Sequence, residues 1–402
     1  MTRLSGSVTD ADVVVVGGGL EGCAAAWELA RRGAGRIVVL ERSTVASGMT
    51  AKSSGIVRCH YSVPSLAAMA WAGVGFLERA GELLGQDIGF HQTGYVVGVG
   101  EADVEVLAAN VAMQQSLGVE VDLVDAGAVA AMWPVARLDD IAGFAQEPRG
   151  GYGDGYRTAT AFAAAARGLG VQVRQNATVV RLLRTAEGAV AGVLLADGEH
   201  VRAPQVVVAA GPWSPELVAG VGVDLPVRAI REEIVLVSPG RQIAPMPVLS
   251  DLVTLQYLRP EPGGEILVGN SDLSDPEPAD PDGYRNAVSD TGLERAVEKL
   301  AHRLPGLPDA SFASGYAGCY DVTPDWNPVI SRTEVEGLTI AAGFSGHGFK
   351  IAPAVAHLVA DLVLEGVSSV PEIPESDFRL SRFAEGDPLV AARSYATAGR
   401  LR

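Results

Sequence analysis

The chain has 402 residues, 48% of them hydrophobic, and a formal charge of −17 from 31 basic and 48 acidic side chains. That length supports a large core and two or three domains, and the acidic surplus argues against nucleic acid or an anionic membrane surface as a partner. Three cysteines (Cys23, Cys59 and Cys319), odd in number and far apart, lack CxxC or Cys/His spacing and point to neither a disulfide framework nor a metal centre.

Residues 11–41 read ADVVVVGGGLEGCAAAWELARRGAGRIVVLE. A β-branched run is followed by a glycine turn, a small-residue helix, a second apolar strand and a terminal acid, the offsets of a dinucleotide-binding unit. Gly17 permits the tight turn, Gly19 lets the backbone approach a pyrophosphate, and Gly22 lets helix and strand pack closely. The helix start at Leu20 offers N–H groups to phosphate. Glu41 is placed to accept from ribose hydroxyls and would repel a 2′-phosphate. Residues 42–61, RSTVASGMTAKSSGIVRCHY, have the composition of a loop wrapped over a ligand. Helices are expected at 65–84, 101–117 and 125–133, and a strand at 94–99. A turn-rich hinge (150–158) precedes a helix at 159–168, a strand at 171–174, a meander at 178–202 and an apolar strand at 206–209.

From 225 to 320 strand-like runs dominate, at 234–237, 253–258, 266–268 and 311–320. A polar, proline-rich segment (272–282) and a helix (291–303) interrupt them. A strand at 338–342, a loop at 343–348 and a helix at 350–365 return the chain to its first domain, and residues from 385 onward are expected to form a loose tail. The predicted fold is α/β plus α+β. A Rossmann-like nucleotide domain (1–90, 150–220 and 322–384) is interleaved with a mostly antiparallel substrate domain (91–149 and 221–321), and 385–402 forms the tail. The N-terminus lacks a signal-peptide pattern, and the apolar stretch 351–364 is too short and interrupted by His357 and Asp361, so a cytoplasmic protein without membrane association is expected.

The glycine fingerprint alone does not separate NAD from FAD. Three features favour a flavin: the discontinuous domain, the late loop GFSGHGFK (343–350) running into a helix, and the small residues of SGMTAKSSGIVR that let backbone lie against a ring. A helix N-terminus and a lysine suit the negative charge of a reduced flavin. Together with GGGLEG, Glu41-Arg42, YDVTPDWNPVI (320–330) and GFSGHGFKIAPAVAHLVADL, these segments resemble the D-amino-acid-oxidase superfamily, nearest its sarcosine oxidase, dimethylglycine dehydrogenase and glycine oxidase branch. The resemblance covers the chain to about residue 370 and implies FAD, a substrate domain with a large antiparallel sheet, and oxidation of an amino acid at its C–N bond. The expected cofactor set is Gly17, Gly19, Leu20, Gly22, Glu41 and Arg42; Thr50, Lys52, Ser53, Ser54 and Gly55; Val179, Ala210, Gly211 and Trp213; and Gly346, His347, Gly348, Phe349 and Lys350.

An amino-acid substrate needs its carboxylate neutralised, best by an Arg fork and a second cation. Both Arg58 and Lys350 adjoin glycine loops expected to flank the flavin, and the resemblance assigns them that pair. It also matches Tyr257 and Tyr320 to aromatic residues over the substrate, where they could equally be packed core tyrosines. His60 and His347 beside the cations are read as neutral space-filling groups, because amine oxidation requires no base.

The chain also departs from the branch's pattern. Where relatives attach FAD through cysteine or histidine it has Gly318, with Cys319 one residue late, and Lys52; dissociable FAD is therefore expected. Where oxidases keep an oxygen-activating lysine it has Leu267, and a neighbouring basic residue is Gly55. The electron acceptor is thus oxygen or another acceptor, with Lys52 a candidate substitute. The leading reading is an FAD enzyme acting on a small N-substituted or cyclic amino acid. The alternatives are a 2-hydroxy-acid dehydrogenase using His60 or His347 as base, a flavin subunit of a larger complex, and an aromatic hydroxylase.

Overall fold

In a computed structural model describing residues 8–396, β-branched, doubly buried strands build a six-stranded sheet. Its order is Val329–Arg332, Leu338–Ala342, Gln205–Val208, Val13–Val16, Ile37–Leu40 and Gln172–Arg174, parallel except at the first pair. Alternation divides the side chains between two cores. Val13, Val15, Ile37 and Val39 meet the helices Leu20–Arg31, Gly155–Gly168 and Gly348–Leu364. Val14, Val16, Val38 and Leu40 instead pack under a small sheet made by Val8–Asp10, His200–Arg202, Val190–Leu195 and Val179–Arg184. Both faces are covered, which explains why these strands read as unbroken valine and isoleucine runs.

The second large sheet has nine strands and is antiparallel except where Val248–Asp251 runs parallel to Tyr95–Val99. Its spine is the pairing of Arg228–Ser238 with Ser311–Val322. Val235 and Val237 face Leu300 and Leu304, at and just beyond the end of the amphipathic helix Asp290–Arg303. The alternate positions face the first sheet's ligand edge. Glu232 pairs with Gly318, Ile230 with Tyr320, and Ile234 with both Tyr316 and Gly269, the partner of Tyr257. One sheet face therefore presents Glu232, Tyr257, Tyr316 and Tyr320 together.

Several expectations are corrected. Residues 253–258 are not one strand, because Asp251 accepts the N–H groups of Val253 (3.0 Å) and Thr254 (3.1 Å) and turns the chain between Val248–Asp251 and Gln256–Pro260. Residues 65–84 form two helices, Pro64–Leu77 and Ala80–Leu84. The expected hinge at 150–158 holds a short strand, Gly151–Tyr152, and the start of Gly155–Gly168, capped by Asp154. The tail is not loose where it is described. Leu389 N–H donates to Asp325 (2.9 Å), the buried Tyr395 hydroxyl meets His60 Nε2 (2.6 Å), and Ala396 N–H donates to Asp103 (2.7 Å). Residues 397–402 lie outside the described part. Among the described residues no helix is long and apolar enough to cross a membrane.

Candidate active site

An elongated cavity of about 640 Å³ runs from the end of Ile37–Leu40, over the glycine turn, to the inner face of the second sheet. The turn leaves room because side chains would not fit there. A Cβ on Gly17, whose φ is +112°, would lie 2.3 Å from Ala209 O, and one on Gly22 would lie 2.0 Å from Gly17 O. Gly22 thus packs the helix onto the turn from beneath and does not line the cavity. Leu20 N–H donates to Thr50 Oγ1 (3.1 Å), which ties the helix start to the short helical turn Met49–Lys52 in the loop after Glu41. Glu41 braces the turn by accepting from Gly18 N–H (2.8 Å) and Ser43 N–H (2.8 Å) while lining the cavity.

At that end Arg42 lies over the Trp213 ring (3.9 Å) and pairs with Asp282 (2.8 Å), which also accepts from Trp213 Nε1 (3.0 Å). The proline-rich 272–282 segment therefore closes onto the cavity mouth. Val179, Ala210 and Gly211 complete this end, and Thr50, Lys52, Ser53 and Ser54 line the middle. Lys52 Nζ sits 5.8 Å from the Tyr316 ring centre, and its Cβ occupies the space above Gly318. At the inner end stand Tyr320, Gly346, Gly348 and Phe349, and Gly346 is bare where a Cβ would lie 2.8 Å from the Tyr320 ring.

Gly55, Arg58, Tyr257, His347 and Lys350 do not line this cavity but lie behind it. Gly55, at φ +66°, packs on Gly153 O. Arg58 and Lys350 are buried and share one ring: Arg58 Cζ is 4.3 Å and Lys350 Nζ 5.8 Å from the Tyr61 centroid. Arg58 Nη1 donates to His60 O. Burial works against its charge, but Tyr61, Tyr95 and Glu147 outweigh it and push its pKa up, so it stays a cation. Tyr61 OH and His347 Nδ1 are 3.2 Å apart, while His60 sits between Tyr395 and Gln114 (3.4 Å) with both ring nitrogens engaged. Tyr257 lies across Gly269 and hydrogen-bonds Tyr320, and burial pushes both phenols up.

Three acids in the cavity were missed by sequence reasoning. Burial raises Glu232 to about 8 and Asp321 to about 6, although Gly343 and Phe344 N–H groups pull Asp321 down. Burial, and then Asp321, raise Glu21 well above the usual range. Asp321 lies inside the quoted YDVTPDWN motif, and Glu232 is the even member of an alternating strand; Glu21, in a helix's first turn, reads as an ordinary dipole partner. Cys319, next to Gly318, also lines the cavity, and burial raises its thiol to about 11. The cavity's length, its glycine-bared floor and the lining acid Glu21, whose Oε2 has no hydrogen-bond partner among the described residues, fit a long ligand with phosphate and hydroxyl groups, as FAD is.

A parallel nucleotide-type sheet edge, facing an antiparallel sheet across such a cavity, suits a dinucleotide such as FAD. The chain belongs to the FAD dependent oxidoreductase (DAO) family, whose profile matches residues 12–362. It is 28% identical over 411 residues to 4-methylaminobutanoate oxidase (formaldehyde-forming) of Paenarthrobacter nicotinovorans, covering 98% of this chain but 48% of that protein. It is 29% identical over 364 residues to glycine oxidase of Geobacillus kaustophilus (strain HTA426), covering 88% of this chain and 92% of that protein. Among solved structures, L-proline dehydrogenase from P. horikoshii superposes with a TM-score of 0.86 at 26% identity, covering 94% of this chain and 99% of that one.

Proposed function

We propose that the protein oxidises the C–N bond of a small N-substituted or cyclic amino acid, its carboxylate held by Arg58 and Lys350. The observation that carries this reading is the pair of buried cations that share the Tyr61 ring, at 4.3 and 5.8 Å from its centroid, each next to a loop with residues that line the FAD cavity. A planar guanidinium beside an ammonium suits a carboxylate. FAD held in this cavity would supply the two-electron, hydride-accepting group that oxidation of a C–N bond requires. Arg58 and Lys350 orient the substrate, and Tyr257 and Tyr320 wall off water around its nitrogen. Relatives that act on 4-methylaminobutanoate, glycine and proline support the substrate class.

We also infer that FAD is held without a covalent bond, since Gly318 offers no nucleophile and burial, raising the Cys319 thiol to about 11, keeps it neutral. Gly17, Gly19, Leu20, Glu41, Arg42 and Trp213 hold the nucleotide end. Val179, Ala210 and Gly211 complete that end, and Thr50, Lys52, Ser53, Ser54, Gly346, Gly348 and Phe349 enclose the rest, with Gly55, His347 and Lys350 behind them. Lys52, lining the cavity beside Tyr316, is the cation placed to serve oxygen in the absence of a lysine at Leu267. A hydroxy-acid reading would need His60 or His347 as base, and the full engagement of His60 disfavours it. The test compares anaerobic reduction of the holoenzyme by N-methylglycine and proline with that by dimethylamine and pyrrolidine. Faster reduction by the carboxylated pair is expected; equal rates would remove the clamp from the account.

A further inference from the structure

The first turn of the Leu20–Arg31 helix carries an acid that the glycine turn does not require. Glu21 lines the cavity, and its Oε1 lies 2.7 Å from where a Cβ on Gly348 would be, at the start of the last helix. Its Oε2 is buried and has no hydrogen-bond partner among the described residues. Asp321 lines the same space, with its Oδ2 already accepting from Gly343 N–H (2.7 Å). Glu21 is half-buried as a residue, but a carboxylate with one oxygen shut off from solvent and unpartnered, beside another acid, is disfavoured in its ionised form. Burial and Asp321 accordingly push Glu21 far above the usual carboxyl range. A neutral carboxyl can donate a hydrogen bond, which an ionised one cannot.

We propose that Glu21 is an FAD-binding residue that acts in its neutral form, donating a hydrogen bond to an oxygen of the bound cofactor, so that the protein releases FAD as Glu21 ionises. The loss has two parts. Ionisation removes the donor and places a negative charge in the cavity that must hold the cofactor's pyrophosphate. The other titratable and charged groups of the walls are Tyr320 and Asp321 from the end of Ser311–Val322, Glu232 from Arg228–Ser238, Glu41 and Arg42 beyond Ile37–Leu40, Lys52 from the loop, Glu216 from Ser214–Ala219 and Asp282 from the 272–282 segment, with His347 and Lys350 behind the cavity. Asp321 is the charge that acts on Glu21. Glu232, raised to about 8, titrates in the same cavity and must be separated from it. The inference rests on FAD binding and is independent of the substrate clamp, whose failure would leave it intact.

The test dilutes the holoenzyme into buffers from about pH 6 to about pH 9.5 and reads released FAD by its fluorescence. The Kd of the wild type should climb with pH, approaching about tenfold per unit once Glu21 ionises. Glu21→Gln should hold the wild-type low-pH affinity across the whole range, and Glu232→Gln should keep the alkaline loss. A flat wild-type profile, or an alkaline loss that survives in Glu21→Gln, overturns the proposal. Should Glu21→Gln fold poorly, calorimetry of FAD rebinding to the wild type at about pH 9, in two buffers of different ionisation enthalpy, decides the matter. Net proton uptake on FAD binding is expected, and no uptake overturns the proposal.

Discussion

Replacing Arg58 by Ala is the most informative perturbation of the proposed clamp. Arg58 is 6% exposed, anchored on His60 O and stacked on Tyr61, so its remaining donors are held in place in a dry setting. A carboxylate about 4 Å from it at an effective dielectric of about 20 would gain about 4 kcal/mol. Lys350 remains in the variant, so the loss should fall at the lower end of the roughly 2–5 kcal/mol seen when one partner of a buried pair is removed. That corresponds to about 30- to 150-fold in Kd. The assay titrates holoenzyme with 2-hydroxyisobutyrate, which has no α-hydrogen, and follows the flavin absorbance. Arg58→Lys should lose about tenfold, because the charge stays while the fork and its His60 anchor are lost. Thermal melts report any folding cost, and pyrrolidine, which lacks a carboxylate, should bind all three proteins alike. A folded Arg58→Ala protein with unchanged carboxylate affinity would refute the assignment, as would equal weakening for pyrrolidine.

Gly269→Ala should displace the Tyr257 ring, since the new Cβ would lie 1.9 Å from Tyr257 Cζ; a stability loss of about 1–3 kcal/mol is expected, with a raised substrate KM. Lys52→Met should slow oxygen reoxidation of the reduced enzyme by about 100-fold in stopped flow while leaving anaerobic reduction nearly unchanged. Asp325 accepts two bonds from the buried Arg382, at 2.7 and 3.0 Å, and one from Leu389 N–H, so Arg382→Ala should cost about 3–5 kcal/mol in denaturant unfolding and loosen the C-terminal segment. The folded-state pKa of Glu232, about 8, lies above its unfolded value, so the native state binds more protons and stability falls as pH rises from about 4.5 to 8. Glu232→Gln should therefore resemble wild type near pH 4 and become progressively more stable than it up to about pH 8, as measured by denaturant midpoints.

The parts of the fold legible in the sequence were those with local causes. The valine strands, the GGGLEG turn and the helix after GHGFK each announce themselves within about ten residues, by β-branching, glycine or 3.6-residue periodicity. The break at Asp251 was hidden because VLSDLVTLQYL reads as continuous apolar chain, and only a side chain accepting two N–H groups turns it. The C-terminal segment has no periodicity; it is fixed by distant partners, Asp325, His60 and Asp103, which no local window contains. The cavity shows the same division. Its glycine floor was readable, whereas the Arg42–Asp282 closure and the inward-facing Glu232 depend on strand register and on contacts across more than two hundred residues.

The central claim, that this chain removes hydride equivalents from a carbon bearing nitrogen and not oxygen, is tested most directly by anaerobic mixing. The purified holoenzyme is combined with a panel of N-methylamino acids, cyclic amino acids, primary amino acids and 2-hydroxy acids, and absorbance is followed near about 450 nm, where oxidised flavin absorbs. Bleaching by at least one N-substituted or cyclic amino acid, with none by the matching hydroxy acids, is the result expected. Bleaching by hydroxy acids while every amine leaves the yellow colour intact would contradict it.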